Sequence, residues 1–311
     1  MNDVLIICDP HGPLGALIHK QECTIVDPRG PSVMCCFKMQ PETLATWSYF
    51  SCKWQQWFGI LNSTDDGDRP VGREMRGGVY AVDLAASPPS VMWETAIAGT
   101  EIIAGPSSSD TIVVLCEGDT AVHLNRQTGV VVRRERGVED IRCFGPDGAA
   151  CVLRSDRALV YTIEGRRTIL DGPPLSKRRT ILGAARAADL LAVSWAGGGI
   201  TIYDAATGRQ AATMPQSVFI VRMVWNPDLR RLLGFGNLDR LGGFMPISVD
   251  PMRATGERLE VTLPDQREYC GGEFCDDGRF AFLENGYIWN VSTNAVYPIP
   301  AALNGRSSVD G

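Results

Sequence analysis

The sequence has few lysines, few histidines and no long apolar segment. Only four of its thirty basic residues are lysine, and it has three histidines in 311 residues. Thirty basic against thirty-six acidic residues give a net charge of −6, which excludes a generally basic nucleic-acid-binding protein. No apolar stretch approaches the roughly 20 residues of a membrane-spanning helix. The 44% hydrophobic and 21% charged fractions are those of a globular chain and exclude disorder or a coiled coil.

The first residues, MNDVLIICDPHG, do not form a secretory signal. They carry no basic start, and their apolar run is limited to residues 4–8 before Asp9 and Pro10. A signal peptide needs a basic start and a longer apolar segment. We therefore expect a cytoplasmic protein that does not associate with a membrane.

The ten cysteines show no C-x-x-C spacing, which excludes the ligand pattern of zinc ribbons and thioredoxin-type sites. Several stand in apolar, strand-like segments such as VMCCF and IVVLC. Free cysteine behaves as a small buried hydrophobe, and disulfides are rare where the compartment is reducing. We expect thiols that contribute packing rather than crosslinks.

A short pattern, an alternating apolar segment followed by a polar turn, recurs seven times. It begins near residues 24, 79, 121, 158, 200, 243 and 287, with gaps of 55, 42, 37, 42, 43 and 44. A period of about 40–45 residues with four strands per unit predicts a β-propeller. We therefore expect an all-β, single-domain, seven-bladed β-propeller of four-stranded antiparallel blades over residues 1–300, with a C-terminal tail over 301–311. Each blade receives four consecutive strands, so no exchange of a terminal strand is evident.

Particular segments carry a family resemblance. IYDAATG (202–208) and IWNVST (288–293) resemble the third strand and turn of WD-repeat proteins, and FGPDG (144–148) and FCDDG (274–278) resemble the family's first-strand turn. The Gly-His dipeptide is absent, and the final Trp-Asp is replaced by Val-Asp, Tyr-Asp or Trp-Asn. The chain thus resembles a degenerate WD40, YVTN or quinoprotein-type propeller. GVYAVDL (78–84) with Trp93 also resembles one repeat of the quinone-dependent propellers.

The first gap is about a dozen residues longer than the mean, and we assign the excess to Asn62–Gly77, between the second and third strands of the second blade. The resemblance places this connection on a face that WD-type propellers often use for binding, and loop insertions commonly carry function. A loop without a role is the alternative. Its acidic residues do not match a calcium loop, because Pro70 and Gly77 occupy later ligand positions. The candidate partner-binding residues are Trp54, Trp57, Asp65, Asp66, Asp68, Arg69, Arg73 and Arg76.

Two further features each have two interpretations. The aromatic residues between Trp47 and Phe58 either form a partner-binding patch or fill the core of the second blade. Residues 130–187 hold twelve basic and seven acidic side chains, so they carry +5 and the rest of the chain −11. Arg133, Arg166 and Arg178 in this segment either bind an acidic or phosphate-bearing partner or protect edge strands from pairing.

No motif of catalysis is present. His11, His19 and His123 lack metal-ligand spacing, and the sequence contains neither a nucleophile elbow nor a phosphate-loop lysine motif. We predict no catalytic, cofactor or metal site. The resemblance implies a non-catalytic scaffold that binds a partner protein through one face of the disc, as a complex subunit or as an inhibitor or immunity-type protein. The alternative is a propeller enzyme of the hydrolase, lactonase or quinone-dependent dehydrogenase type.

Overall fold

The computed structural model describes residues 4–9, 12–19, 21–40, 49–61, 77–97, 99–103, 110–116, 118–144, 149–154, 156, 158–163, 166–171, 180–196, 199–215, 218–238, 244–264 and 271–299. Within these ranges the structure contains β-strands and no helix, and the strands form seven four-stranded sheets. The predicted tail over 301–311 lies outside the described residues.

The first four sheets, or blades, have the following bounds. Blade 1 contains β1 (Val4–Cys8), β2 (Gly15–His19), β3 (Glu22–Asp27) and β4 (Ser32–Lys38). Blade 2 contains β5 (Tyr49–Ser51), β6 (Gln56–Leu61), β7 (Gly78–Asp83) and β8 (Ser90–Thr95). Blade 3 contains β9 (Gly99–Ile103), β10 (Thr111–Cys116), β11 (Thr120–Asn125) and β12 (Val131–Arg136). Blade 4 contains β13 (Val138–Phe144), β14 (Ala149–Arg154), β15 (Leu159–Ile163) and β16 (Arg166–Leu170).

The remaining three blades complete the ring. Blade 5 contains β17 (Ile181–Ala187), β18 (Leu190–Trp195), β19 (Ile200–Asp204) and β20 (Gln210–Thr213). Blade 6 contains β21 (Phe219–Asn226), β22 (Arg231–Asn237), β23 (Met245–Asp250) and β24 (Thr255–Arg258). Blade 7 contains β25 (Gly272–Cys275), β26 (Phe280–Leu283), β27 (Tyr287–Asn290) and β28 (Ala295–Pro298).

Strand order within every blade follows the chain, and neighbouring strands are antiparallel. First strands of successive blades lie side by side, including β1 against β5 and, across the closure, β1 against β25. They therefore surround the central axis. Inner strands such as β6 are buried, whereas all four residues of β24, an outer strand, are exposed. This confirms the predicted seven-bladed, all-β propeller, and none of the described strands is exchanged between the first and last blades.

The ring is closed by packing between blades 1 and 7. Ile6 and Leu17 of blade 1 share a buried apolar cluster with Phe280 and Phe282 of blade 7. The approach is close, because a Cβ on Gly15 would lie 2.4 Å from the Phe282 ring. The backbone N–H of Asp276 also donates to the Gly12 carbonyl at 2.8 Å. Side-chain packing and a backbone hydrogen bond thus join the first and last blades.

The antiparallel order gives the disc two different faces. We call face A the side with the turns between first and second strands and between third and fourth strands. Face B is the opposite side, with the connections between second and third strands and between blades. This follows because successive antiparallel strands reverse direction at alternate ends of the sheet.

A side-chain oxygen at the end of the third strand shapes the turns on face A. Asp204 Oδ1 accepts hydrogen bonds from the Thr207 N–H at 2.7 Å and the Ala206 N–H at 3.1 Å, and Asn125 does the same for Thr128 and Gln127. The hydrogen bonds from Thr207 lower the pKa of Asp204. The same turn is found after four other third strands, at Asp27, Asp83, Asp250 and Asn290. The recurring polar turn in the sequence is therefore an Asx turn, which either Asp or Asn can form.

Candidate functional site

The two candidate tryptophans occupy different environments. Trp57, on β6, has no exposed surface and packs edge-to-face on Phe37 with ring centroids 6.0 Å apart. Trp54 is half-buried in the turn before β6 and packs edge-to-face on Phe58 at 6.3 Å. Phe50 and Phe58 are also buried. These aromatics therefore fill blade cores, and the assignment of Trp57 as a partner contact is corrected because its side chain cannot reach a partner.

Trp54 joins blades 2 and 3 on face A. The Arg126 guanidinium lies 5.1 Å from the centroid of a Trp54 ring, a cation–π geometry. Arg126 also donates to Gln56 Oε1 at 3.3 Å and pairs with Asp110 at 3.4 Å. The backbone carbonyl of Arg126 accepts from the Trp93 indole at 2.8 Å. Trp54 therefore contacts Phe58 of its own blade and Arg126 of blade 3.

Trp54 and Leu61, the residue that precedes the insertion, lie at opposite ends of β6. Trp54 precedes β6 on face A, whereas Leu61, the last described residue before the insertion, ends β6 on face B. With a rise of about 3.3 Å per residue, the two ends of the six-residue strand β6 lie about 17 Å apart. Residues 62–76, which include Asp65, Asp66, Asp68, Arg69, Arg73 and Arg76, lie outside the described residues. The partner-binding role of this segment stays a prediction.

The predicted basic segment forms an exposed edge on blades 3 and 4. The outer strand β12 carries Arg133, Arg134 and Arg136, and the outer strand β16 carries Arg166 and Arg167. All five side chains are exposed. Arg178 lies outside the described residues. The structure thus places Arg133 and Arg166 on neighbouring blade edges, as predicted from the repeat.

The Glu135 carboxylate interacts with several basic side chains between blades 3 and 4. Arg154 of β14 donates to Glu135 Oε1 at 2.6 Å, and Arg133 forms an ion pair with Oε2. Burial opposes ionisation, but the hydrogen bonds from Arg133 and Arg154 lower the pKa of Glu135. His123 Nε2 lies 3.8 Å from Glu135 Oε2. Burial and nearby Arg133 lower the pKa of His123, so this imidazole is neutral at pH 7.

Charged side chains also stand on the innermost strands around the central axis. Arg142 of β13 lies 3.1 Å from Glu101 Oε2 of β9 and 3.0 Å from Asp140 Oδ1. Asp140 is buried and accepts the backbone N–H groups of Ile141 and Ile181, each at 2.8 Å. Burial, partly offset by Arg142, raises the pKa of Asp140 to about 6. This group links blades 3, 4 and 5.

A second charged group links blades 6, 7 and 1. Arg222 of β21 forms an ion pair with Glu273 Oε1 of β25, and Glu273 Oε2 accepts the Cys8 N–H at 2.8 Å. Arg222 has a left-handed backbone conformation, φ 50°, at a β-bulge. Burial lowers the pKa of Arg222, yet 49% of its side chain is accessible. The Arg222 side chain is therefore partly open to solvent while it pairs with Glu273.

The cysteines near this closure have the properties of packing residues. Cys8 and Cys275 lie in the closure cluster, and the Cys52 N–H donates to Asp9 Oδ2 at 2.9 Å. Burial raises the pKa of both Cys8 and Cys52, whereas a reactive cysteine needs a lowered pKa. Within the described part of the chain, no group of three or more His, Cys, Asp or Glu side chains is arranged to hold a metal ion. The described residues also contain no helix long and apolar enough to cross a membrane.

Comparison with solved structures finds several propellers of similar shape. The Swd1 (Cps50) β-propeller domain of Myceliophteria thermophila is 16% identical, with TM-score 0.54, covering 82% of this chain and 87% of that one. Sqt1 of Saccharomyces cerevisiae is 9% identical, with TM-score 0.56, covering 95% and 84%. A chain of the mitotic checkpoint complex is 12% identical, with TM-score 0.62, covering 89% and 83%. No known family profile and no curated protein sequence matches the chain. At these identities the similarity shows the fold alone, a β-propeller.

Proposed function

We propose that this protein is a non-catalytic scaffold that binds a partner protein through one face of its disc, as a subunit of a complex. The observation that carries the proposal is the closed ring of seven blades, similar to propellers such as the mitotic checkpoint complex chain. A ring of this kind holds surface loops on a rigid frame, which suits recognition of a large surface. An inhibitor that covers a second protein with one face is a special case of the same binding.

The charges at the ring centre also support binding over catalysis. Arg142 bridges Glu101 and Asp140, and Arg222 is paired with Glu273. A general base or nucleophile is usually held beside a second group that activates it, whereas these carboxylates are held by arginines that join blades. Their geometry is that of crosslinks within the ring.

We place the partner contact on face B, at residues 62–77. Support comes from the composition of this segment, whose acidic and basic side chains together can orient a charged partner. Insertions in surface loops have little thermodynamic cost, because closure entropy grows only logarithmically with length. The segment is flanked by Leu61 and Gly78, which pair with each other in the blade 2 sheet, so replacement leaves the strands on either side intact.

The test uses the full chain with residues 62–77 replaced by a short Gly-Ser connection. The partner is first captured from native extract and identified by mass spectrometry, and its affinity is then measured with purified proteins. We expect an unchanged melting temperature and an affinity loss of at least about tenfold, or 1.4 kcal/mol. The matched control replaces residues 104–109, between β9 and β10 on face A, and should bind normally. Equal affinity of both variants and the native chain would refute the face B contact.

A further inference from the structure

The interface between blades 3 and 4 has the smallest apolar core of the described blade interfaces. Its cluster holds six buried residues: Val113, Leu115, Ala121, Val138, Ile141 and Ala150. None is aromatic, and the other clusters hold eight to twelve buried residues. The interface between blades 4 and 5, for comparison, contains Tyr161, Trp195 and Tyr203. The outer part of the junction between blades 3 and 4 is therefore not filled by large side chains of the described residues.

Two adjacent residues of β16 show how the interface with blade 3 differs from the interface with blade 5. Leu170 is 3% exposed and packs in the cluster between blades 4 and 5. Ile169, which points to the opposite side of the sheet, is 72% exposed. Its row in the sheet continues through Val160 to Val152, and Val152 packs against the core shared with blade 3. Ile169 and Val160 therefore form an apolar strip that faces blade 3 and is open at its outer end.

Charged side chains lie on the facing sides of blades 3 and 4, and we call the space between their outer strands the cleft. On the facing side of blade 3, Arg133 pairs across the strands with His123, and Glu135 pairs with Ala121. Arg133 and Arg154 share the single carboxylate of Glu135, which leaves one positive charge in excess. Blade 4 adds Arg167, in the row next to Ile169, where it is exposed and has no ion pair with another described residue. With His123 neutral, the cleft carries a charge of about +2 at pH 7.

We propose that this cleft, lined by Arg133, Arg167, Val160 and Ile169, binds an extended acidic segment of a partner protein. The proposal rests on the partner-binding function proposed above and identifies a second contact, on the rim of the disc. An apolar side chain of the segment would pack on Ile169 and Val160 while its carboxylates pair with the arginines. The cleft lies within residues 130–187, which carry +5, whereas the rest of the chain carries −11. An acidic segment is therefore repelled elsewhere and attracted here.

The isoleucine favours a peptide over a nucleic acid as the occupant. Phosphate backbones are recognised by positive charge and hydrogen-bond donors, and a side chain such as Ile169 offers neither. A peptide strand presents side chains alternately to opposite sides. It can therefore place an apolar residue on Ile169 with acidic residues beside it.

The test measures fluorescence anisotropy of a labelled, glutamate-rich peptide with a central Leu-Ile pair. A length of about 12 residues is enough to cross the blade edge at about 3.3 Å per residue. Arg167→Glu and Ile169→Asp should each weaken binding at least about tenfold. Arg209→Glu on blade 5 and Val91→Asp on β8 are the matched controls, since both positions are also exposed, and they should bind like the native chain. Melting temperatures establish that all four variants fold.

Several other outcomes would refute the cleft, and one would refute the proposed function instead. Equal binding of a lysine-rich version of the peptide, or no loss with Arg167→Glu and Ile169→Asp, would exclude an acidic segment there. Binding of a short DNA duplex that depends on Arg167 but not on Ile169, without peptide binding, would identify a nucleic-acid surface instead. With the captured partner, a loss caused only by replacing residues 62–77 would refute the cleft and leave the proposed function standing. If the peptide binds the cleft while no partner is captured, the cleft would stand and the proposed function would be refuted.

Discussion

The backbone N–H of Cys8, in the first blade, donates a hydrogen bond of 2.8 Å to Glu273 Oε2, in the last blade. The other oxygen of the same carboxylate pairs with Arg222 of blade 6. One side chain therefore connects three blades at the closure, next to the apolar cluster that contains Phe282. Glu273 therefore adds a polar link to the closure, beside the backbone hydrogen bond from Asp276 to Gly12.

Replacing Glu273 should destabilise the ring. Glu273→Ala leaves the Cys8 N–H and the Arg222 guanidinium without their acceptor, and an unsatisfied buried donor costs about 1–3 kcal/mol. Glu273→Gln retains an oxygen for Cys8 and should cost less. Urea denaturation measures both, with Glu257→Ala on the exposed strand β24 as the control. A Glu273→Ala variant as stable as this control would show that the ring closes without the Glu273 carboxylate.

The buried carboxyl of Asp140 should make stability depend on pH. Its pKa in the folded protein is about 6, above the ordinary 3.8, so the folded state binds more protons than the unfolded state between these values. The contribution of Asp140 is therefore full below about pH 4 and falls as pH rises to about 6. At 1.4 kcal/mol per pKa unit, the decrease is about 3 kcal/mol.

Asp140→Asn isolates this contribution from the other carboxyl groups. The free energy of unfolding of the native chain minus that of the variant should decrease between pH 4 and pH 6 and stay level above it. Urea denaturation at a series of pH values gives the difference. If it increases over this range, the ion pair with Arg142 and the two backbone hydrogen bonds outweigh burial.

The described cysteines should differ in reactivity according to their burial. Eight of them are free thiols, among which Cys36 is exposed whereas Cys8 and Cys23 are buried. Burial raises the pKa of Cys8 and Cys23, which lowers the thiolate fraction that an alkylating reagent needs. Iodoacetamide labelling followed by peptide mass spectrometry should find Cys36 modified first and Cys8 and Cys23 modified only in denaturant.

A reductant should leave the melting temperature unchanged, as expected for thiols that contribute packing. A disulfide typically contributes about 2–4 kcal/mol. A decrease of several degrees on reduction would therefore reveal a crosslink and contradict the prediction.

The blade repeat was predictable from the sequence because its causes are local. Alternating apolar residues form a strand with one or two buried faces, and an Asp or Asn such as Asp204 or Asn125 shapes the next turn through residues only two or three positions away. These interactions need no distant partner, so they survive the loss of the usual Trp-Asp and Gly-His residues. The same locality allowed four consecutive strands to be assigned to each blade.

The candidate surface was less predictable because it depends on which end and which side of a strand a residue occupies. Trp54 and Trp57 are three positions apart, yet one is half-buried on face A and the other is fully buried. The sequence grouped both with residues 62–77, but β6 separates Trp54 from Leu61, the residue before that segment. A cluster of aromatic residues is consistent with either a blade core or a binding patch, and composition does not distinguish a core position from a surface one.

By itself, then, the sequence determined the seven blades, their four strands and the basic character of residues 130–187. Only the tertiary structure decided that Arg154 of blade 4 pairs with Glu135 of blade 3 and that Ile169 is exposed while Leu170 is buried. It also decided that the Cys8 N–H donates to Glu273. The reason is physical: strands and turns form from near neighbours in the chain, whereas contacts between blades arise only when the ring closes and brings distant residues together.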